Sequence, residues 1–357
     1  MSNQHMNQNR SIYSGLNRES IGPRWLVEER DACGVGLIAD QNGRASHDLL
    51  AKALHALTCM EHRGGRCADR DSGDGAGVMT AIPWKLLQQW ASEQNLPDPK
   101  PERTGVGMVF LPQNQEAADI VRSQFEHVVQ EAGLTLLGWR SVPIKPEVLG
   151  VQARQHQPQI EQVVVQSSSV QGDELERQLY WLRRRVGQAL STLRTTRADL
   201  STEVIAGLQE YYVCSLSCRT IVYKGMVRSA ILQAFYLDLQ QPDYISAFVV
   251  YHRRFSTNTM PKWPLAHPMR LIGHNGEINT LVGNINWMMA RQADLAHPTW
   301  GDRLNDLKPF VNSEDSDSAN LDNVMELLVR SGRSLLEALM IMIPEAYRNQ
   351  PDLSKHP

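Results

Sequence analysis

Apolar and polar positions along this chain predict short strands that alternate with helices. Helical spacing of apolar residues predicts helices at residues 48–60, 84–90, 116–131, 174–193, 283–295 and 320–343. Runs typical of strands occur at residues 33–39, 77–83, 104–112, 134–144, 161–169, 211–217, 219–225, 247–256 and 269–277. Several of these runs are apolar at successive positions, which is typical of sheets covered on both faces. The pattern therefore predicts a layered protein of helices and sheets.

The first 32 residues lack this periodicity. They are rich in Asn, Gln, Ser and Arg, a composition typical of a flexible arm. They contain no apolar segment of the kind that a secretory signal requires, and their acidic residues argue against an organelle transit peptide. We therefore expect a cytoplasmic protein whose first packed element begins at Cys33.

Composition and charge exclude two classes of partner. The chain has 357 residues, with 36 Lys and Arg against 39 Asp and Glu, so its net charge of −3 differs from the basic balance of nucleic-acid binders. Its longest apolar runs fall far short of the roughly 20 residues that span a bilayer. We expect a soluble protein with neither nucleic acid nor a membrane as partner. Five cysteines are a sparse, odd set, which suits a reducing compartment and leaves at least one free thiol.

Cys33 is the thiol whose position suggests chemistry. It directly follows Ala32, and cleavage between the two residues would give Cys33 a free α-amine with a pKa of about 7.7–8.0. Such an amine can act as the base for the thiol of the same residue. The alternative is a cysteine that is merely buried in a strand.

A glycine-dense segment, MEHRGGRCADRDSGDGAG, follows the first predicted helix at residues 60–77. Glycines allow a backbone to approach a ligand closely, but this spacing fits neither a P-loop nor a calcium loop. A structural turn is the alternative. Cys59, His62 and Cys67 could also bind zinc, although their spacing fits no standard zinc motif.

Three further polar segments could bind a small molecule. Residues 251–259, YHRRFSTNT, place arginines at a strand end, where guanidinium can grip a carboxylate. Asn275 and Gly276 offer an amide and a backbone N–H to an oxyanion, although Asn-Gly is also a common hairpin turn. Residues 312–319 combine acids and hydroxyls that could cap a helix or hold an amine.

Together these segments resemble the glutaminase domain of glutamate synthase, a class II glutamine amidotransferase of the N-terminal-nucleophile hydrolase superfamily. The matching stretches lie in the expected order at residues 33–39, 60–77, 254–291 and 316–323. The resemblance implies an α+β fold, a four-layer αββα sandwich. It also implies a propeptide or flexible arm at residues 1–32 and a type-2 glutamine amidotransferase domain at residues 33–357, truncated at its C-terminal end.

The resemblance also implies the catalytic residues. Cys33 would become the N-terminal nucleophile after removal of residues 1–32, and it would form a thioester with glutamine that water hydrolyses to glutamate. Asn275 and Gly276 would form the oxyanion hole. The ammonia would serve glutamate formation from 2-oxoglutarate in the complete enzyme.

The implied substrate is L-glutamine. Arg254 would bind its α-carboxylate, Asp317 would bind its α-amine, and Arg63 would give a supporting contact. Arg253 departs from the expected motif, where a small residue would precede Arg254, and we expect it to add charge near the substrate carboxylate.

The resemblance implies no cofactor or metal in this chain, since FMN and an iron–sulfur cluster are expected only in the synthase portion. The implied partners are the remaining synthase domains or a partner subunit. Two alternatives stay open: a non-catalytic glutamine-binding fragment whose propeptide is not cleaved, and a zinc-binding structural protein.

Overall fold

The computed structural model describes residues 34–65, 67, 69, 71–253, 261–276, 278, 280–313 and 315–343, with Arg63 described by its backbone alone. The strands in these residues are β1 Val35–Ala39, β2 Ala76–Ala81, β3 Thr104–Leu111, β4 Thr135–Ser141, β5 Gln159–Gln166, β6 Tyr212–Ser217, β7 Thr220–Gly225 and β8 Phe248–Arg253. The α-helices are α1 His47–Cys59, α2 Trp84–Glu93, α3 Gln115–Glu131, α4 Val151–Gln155, α5 Gly172–Thr196, α6 Thr202–Gly207, α7 Leu232–Phe235, α8 Leu281–Arg291, α9 Asp317–Arg330 and α10 Leu335–Met342.

The strands form two four-stranded antiparallel sheets. The first sheet has the order β1-β8-β2-β7, and the second has the order β4-β5-β3-β6. In the first sheet β8 lies between β1 and β2, with Val35 opposite His252 and Ala76 opposite Arg253. Strand β8 therefore brings the residues that precede β1 and those that precede β2 to the same end of the sheet.

Alternate side chains of β3 enter two apolar cores. Val106, Met108 and Phe110 join a core that also contains side chains of the first sheet and of α1. Val109 and Leu111 join a second core with side chains of α3 and α5. Because successive strand residues point to opposite faces, β3 is buried on both faces, as its continuous apolar run predicts.

Helix starts follow the capping residues of the sequence. Ser46, Asn114 and Ser316 each accept a hydrogen bond from the backbone N–H three residues ahead, at the starts of α1, α3 and α9. These bonds satisfy N–H groups that a helix leaves unpaired in its first turn. Among the described helices none is long and apolar enough to cross a membrane.

Two of the predicted elements are wrong. Residues 269–277 are predicted to form a strand, but the described residues 269–276 form a loop that leads toward α8. Residues 320–343 were expected to form one helix, but Gly332, at φ +103°, separates α9 from α10. Only glycine adopts that backbone conformation readily, so the helix ends there.

Candidate active site

The ends of β1 and β8 place the neighbours of two predicted site residues in contact. The Arg253 backbone N–H donates to the Gly34 carbonyl oxygen at 2.5 Å. Gly34 follows Cys33 and Arg253 precedes Arg254, while Cys33 and Arg254 themselves lie outside the described residues. The sheet register therefore brings together the segments that carry the predicted nucleophile and the predicted carboxylate-binding arginine.

Asn275 and Gly276 lie beside this point. Both residues are exposed, and the Asn275 Oδ1 atom is 3.6 Å from the position that a Cβ on Gly34 would occupy. His274 precedes Asn275, and its carbonyl oxygen accepts a hydrogen bond from His252 Nε2 at 2.8 Å. An accessible amide and a glycine N–H next to Gly34 are the donors that a developing oxyanion needs.

The loop that carries Asn275 is anchored by a buried carboxylate of α9. Asp322 Oδ1 accepts hydrogen bonds from the backbone N–H groups of Leu271 and Ile272, and Oδ2 accepts one from Arg270. These are N–H groups that a strand would have given to a sheet neighbour. The carboxylate thus replaces a sheet partner, which is why the apolar run at residues 269–277 does not form a strand.

Asp317 is the first residue of α9 and reaches the same loop. Its Oδ2 accepts a hydrogen bond from the Ile278 backbone N–H at 3.1 Å, and its Oδ1 accepts one from Ser318 at 2.7 Å. Its side chain is buried, with 8% of the residue exposed. The structure thus brings the predicted amine-binding carboxylate to the segment that carries Asn275 and Gly276.

The 61–75 loop is the glycine-dense segment, and it also approaches the end of β8. Arg63 ends the 3₁₀ turn Glu61–Arg63, and its side chain lies outside the described residues. Asp74 Oδ2 accepts the Gly65 N–H at 2.7 Å, which closes the loop on itself. The backbone of the loop therefore places Arg63 near β8, although its predicted contact with substrate stays a prediction.

Asp69 holds the far side of this loop. Burial opposes ionisation, but hydrogen bonds from Ser72, Gln152 and Asp71 outweigh it and hold the pKa of Asp69 well below its usual range. The acids of the loop are thus engaged by protein donors. Among the described residues no three His, Cys, Asp or Glu side chains converge as metal ligands, and the Cys59, His62 and Cys67 set does not form a site.

Arg253 has contacts that differ from those the sequence predicts. Its side chain is fully buried, and its Nη1 donates to Asp74 and to the Gly75 carbonyl oxygen, the latter at 3.0 Å. Its Nη2 donates to the Gly65 carbonyl oxygen at 3.2 Å. The expectation that Arg253 adds charge near the substrate carboxylate is wrong, because these bonds commit the guanidinium to the protein itself.

Two buried histidines, His252 and His267, and the partly exposed His274 form a group at the Asn275 loop. The rings of His252 and His267 are stacked with centroids 4.4 Å apart, and His274 lies edge-on to His267 at 5.5 Å. Burial, followed by the neighbouring His252, Lys224 and His274, holds the pKa of His267 well below 6.5. These single polar residues lie on one strand, at His252, and in the loop at residues 261–276, and they gave no sequence signal for this group.

Burial makes two of the described cysteines poor nucleophiles. Burial raises the pKa of Cys214 to about 12, and burial together with the Glu176 carboxylate raises the pKa of Cys218 to about 12. Because the thiolate is the reactive form, these thiols are inert near neutral pH. Cys59 is exposed on α1, where its Sγ lies 3.8 Å from His55 Nε2.

Comparison with known proteins identifies the family. A family model described as "Glutamine amidotransferases class-II" matches residues 33–357. The chain is 57% identical over 351 residues to ferredoxin-dependent glutamate synthase 2 of Synechocystis sp., covering 98% of this chain and 22% of that relative. It is 52% identical over 333 residues to ferredoxin-dependent glutamate synthase of Pyropia yezoensis, covering 93% of this chain and 21% of that relative.

A plant relative gives the same result. The chain is 49% identical over 334 residues to ferredoxin-dependent glutamate synthase 1, chloroplastic/mitochondrial, of Arabidopsis thaliana, covering 93% of this chain and 20% of that relative. The chain thus spans about a fifth of the length of these curated relatives. The identification made from the sequence motifs is confirmed, and the chain belongs to the class II glutamine amidotransferases.

Proposed function

We propose that this chain is the glutaminase portion of a ferredoxin-dependent glutamate synthase and that it hydrolyses L-glutamine to glutamate and ammonia. One observation carries the proposal. Gly34, the end of β8 at Arg253, and the Asn275 loop meet at one end of the first sheet. Each of these segments adjoins or contains a residue that the motifs assign to the reaction.

The chemistry follows from the residue types at this point. The Cys33 thiolate attacks the side-chain amide carbon of glutamine, and the Asn275 amide and the Gly276 N–H stabilise the oxyanion that forms. The α-amine of Cys33 passes a proton to the departing ammonia. Water then attacks the γ-glutamyl thioester, which releases glutamate and restores the thiol.

Substrate selection rests on the amino-acid end of glutamine. Arg254 grips the α-carboxylate with two parallel hydrogen bonds, and Arg63 adds a second positive charge. Asp317 binds the α-amine, and its position against the backbone of Ile278 supports this role. A substrate that lacks the α-carboxylate or the α-amine would lose one of these contacts and bind more weakly.

The fold that goes with this function is a four-layer αββα sandwich. Its support is the assignment of side chains to the two cores: residues of both sheets and α1 share one core, and α3 and α5 share the other with the second sheet. Two antiparallel sheets between helical layers would give this assignment.

The complete enzyme needs more than this chain. The ammonia would pass to 2-oxoglutarate in a synthase portion that holds FMN and an iron–sulfur cluster. The names of the relatives describe them as ferredoxin-dependent, and we propose ferredoxin as the electron donor here. We propose that this chain needs no cofactor for ammonia release, and that it acts in the cytoplasm after removal of residues 1–32.

Two measurements on the purified protein test the proposal. Glutamine should yield ammonia, and Cys33→Ala should abolish it, whereas Cys59→Ala at an exposed thiol should not. Intact mass should show the loss of residues 1–32. Ammonia release that survives Cys33→Ala would contradict the mechanism, and a full-length chain that binds glutamine without turnover would support the non-catalytic alternative.

A further inference from the structure

Arg253 ties three segments of the candidate site together. Its backbone N–H bonds to Gly34, which follows the predicted nucleophile, and its guanidinium bonds to the 61–75 loop at Gly65, Asp74 and Gly75. Its own carbonyl is joined directly to Arg254. One residue, through its backbone and its side chain, thus links the segments that carry Cys33, Arg63 and Arg254.

The charge of the Arg253 guanidinium is balanced by carboxylates of the 61–75 loop. A fully buried guanidinium is costly unless carboxylates compensate its charge and acceptors take up its N–H groups. Asp74 forms an ion pair with Nη1, and a Glu61 oxygen lies 3.7 Å from Nε. Both carboxylates belong to the 61–75 loop, so the loop provides all of the negative charge described around Arg253.

The carboxylates are themselves held in place. Asp74 also accepts the Gly65 N–H, and Glu61 accepts hydrogen bonds from Ser229 and from the Ala230 N–H. The two carboxylates that face Arg253 are therefore held by further hydrogen bonds, Asp74 within the loop and Glu61 to residues outside it. A lysine could not satisfy the same partners, because its single ammonium lacks the planar fork that reaches several acceptors.

The shape of the loop also matches the guanidinium. A Cβ on Gly64 would collide with Arg253 Cζ and both of its terminal nitrogens. The loop backbone therefore lies directly against the guanidinium at Gly64, and the hydrogen bonds to Gly65, Asp74 and Gly75 join the loop to the same group.

We propose that Arg253 is a positioning residue for glutamine binding: it fixes the 61–75 loop against the end of β8. The two segments that Arg253 joins are those to which the motifs assign Arg63 and Arg254, the predicted contacts of the glutamine carboxylate. This inference rests on the proposed function. Arg253 is too deeply buried to contact substrate itself, so it acts through the two segments that it joins.

Glutamine hydrolysis by Arg253→Lys tests the role. A matched control is Arg140→Lys, since the Arg140 side chain is only 11% exposed and forms a bidentate pair with Asp238, but Arg140 lies on β4 of the second sheet. We expect Arg253→Lys to raise the KM for glutamine about tenfold or more, with a smaller fall in kcat. Arg140→Lys should lower the melting temperature and leave KM within about twofold of the wild-type value. A folded Arg253→Lys enzyme with unchanged KM, or an equal rise in the control, would overturn the proposal.

Hydrogen exchange at residues 61–75, measured without glutamine, separates this proposal from the proposed function. Exchange should be faster in Arg253→Lys than in wild type and in Arg140→Lys. If the wild-type protein released no ammonia, the proposed function would fail while this measurement still reported on the loop. Unchanged exchange would refute the link between Arg253 and the loop.

Asp74→Asn covers the case in which Arg253→Lys does not fold. It keeps the arginine and an acceptor in place but removes the charge of its partner. We expect a rise in KM and faster exchange at residues 61–75, both smaller than a full loss of the guanidinium contacts would give. An active Asp74→Asn enzyme with wild-type KM and wild-type exchange would overturn the proposal.

Discussion

His267 shows how burial of one side chain makes the protein sensitive to acid. The unfolded imidazole binds a proton near pH 6.5, whereas in the folded protein burial and the facing His252, Lys224 and His274 depress the pKa of His267. Below about pH 6.5 the unfolded state therefore binds more protons than the folded state. The free energy of unfolding falls as the pH falls through this range, by about 1.4 kcal/mol for each unit of pKa difference.

We expect His267→Phe to reduce this loss, because phenylalanine keeps a ring in the stack and cannot be protonated. The measurement is chemical denaturation at pH 7 and pH 5. His127→Gln, at an exposed position on α3, should leave the pH dependence as in wild type. Equal losses in wild type and His267→Phe would show that His267 does not cause the sensitivity.

Gly64 is a position where the protein has no room for a side chain. Gly64→Ala places a Cβ against the Arg253 guanidinium, which is fully buried and cannot swing away. We expect a loss of about 1–3 kcal/mol in the free energy of unfolding, typical of overpacking, and a rise in the KM for glutamine. Denaturation and steady-state kinetics measure the two effects.

Gly187→Ala is the matched control for this substitution. Gly187 lies inside α5, and a Cβ there would meet no atom within 4 Å. Alanine favours a helix interior, so the free energy of unfolding should rise by about 0.5–1 kcal/mol, with KM unchanged. The two glycine-to-alanine substitutions should thus change the free energy of unfolding in opposite directions.

At the scale of elements, α9 determines the course of the Asn275 loop. Asp322→Ala would leave three backbone N–H groups and the nearby Arg270 guanidinium without their buried acceptor. We expect a loss of about 3–5 kcal/mol and a lower kcat, because Asn275 and Gly276 lose their support. Asp322→Asn keeps an acceptor and should cost less.

Denaturation and glutamine turnover check this expectation. Glu126→Ala removes an exposed carboxylate of α3 and should change neither quantity. If Asp322→Ala reduced stability but left kcat at the wild-type value, the anchoring carboxylate would matter for the fold alone.

The sequence predicts these elements to different extents, for a physical reason. The strands of both sheets and most helices follow from local periodicity, and Asn275, Gly276 and Asp317 follow from motifs. The run at residues 269–277 misleads because its N–H groups bond to Asp322, which is 50 residues away along the chain. Arg253 was misjudged because its partners on the 61–75 loop are distant in sequence.

At the scale of the molecule, β3 couples the two cores. Phe110 faces the core that contains residues of both sheets, where its ring lies 5.8 Å from the Trp263 ring. Phe110→Ala should cost about 3–5 kcal/mol, and it should accelerate hydrogen exchange in β2 of the first sheet and β5 of the second. Leu37→Ala, at a side chain 64% exposed on β1, should change little. Acceleration confined to β5 would show that the sheets unfold independently.

The contact between Gly64 and Arg253 also has an evolutionary consequence. The missing side chain at position 64 makes room for the guanidinium, and the Asp74 carboxylate balances its charge. A lineage that replaced Arg253 with a small residue would free position 64 to accept a side chain and position 74 to lose its acid. Substitutions at positions 64, 74 and 253 should therefore appear together among relatives of this chain, as one inherited character instead of three.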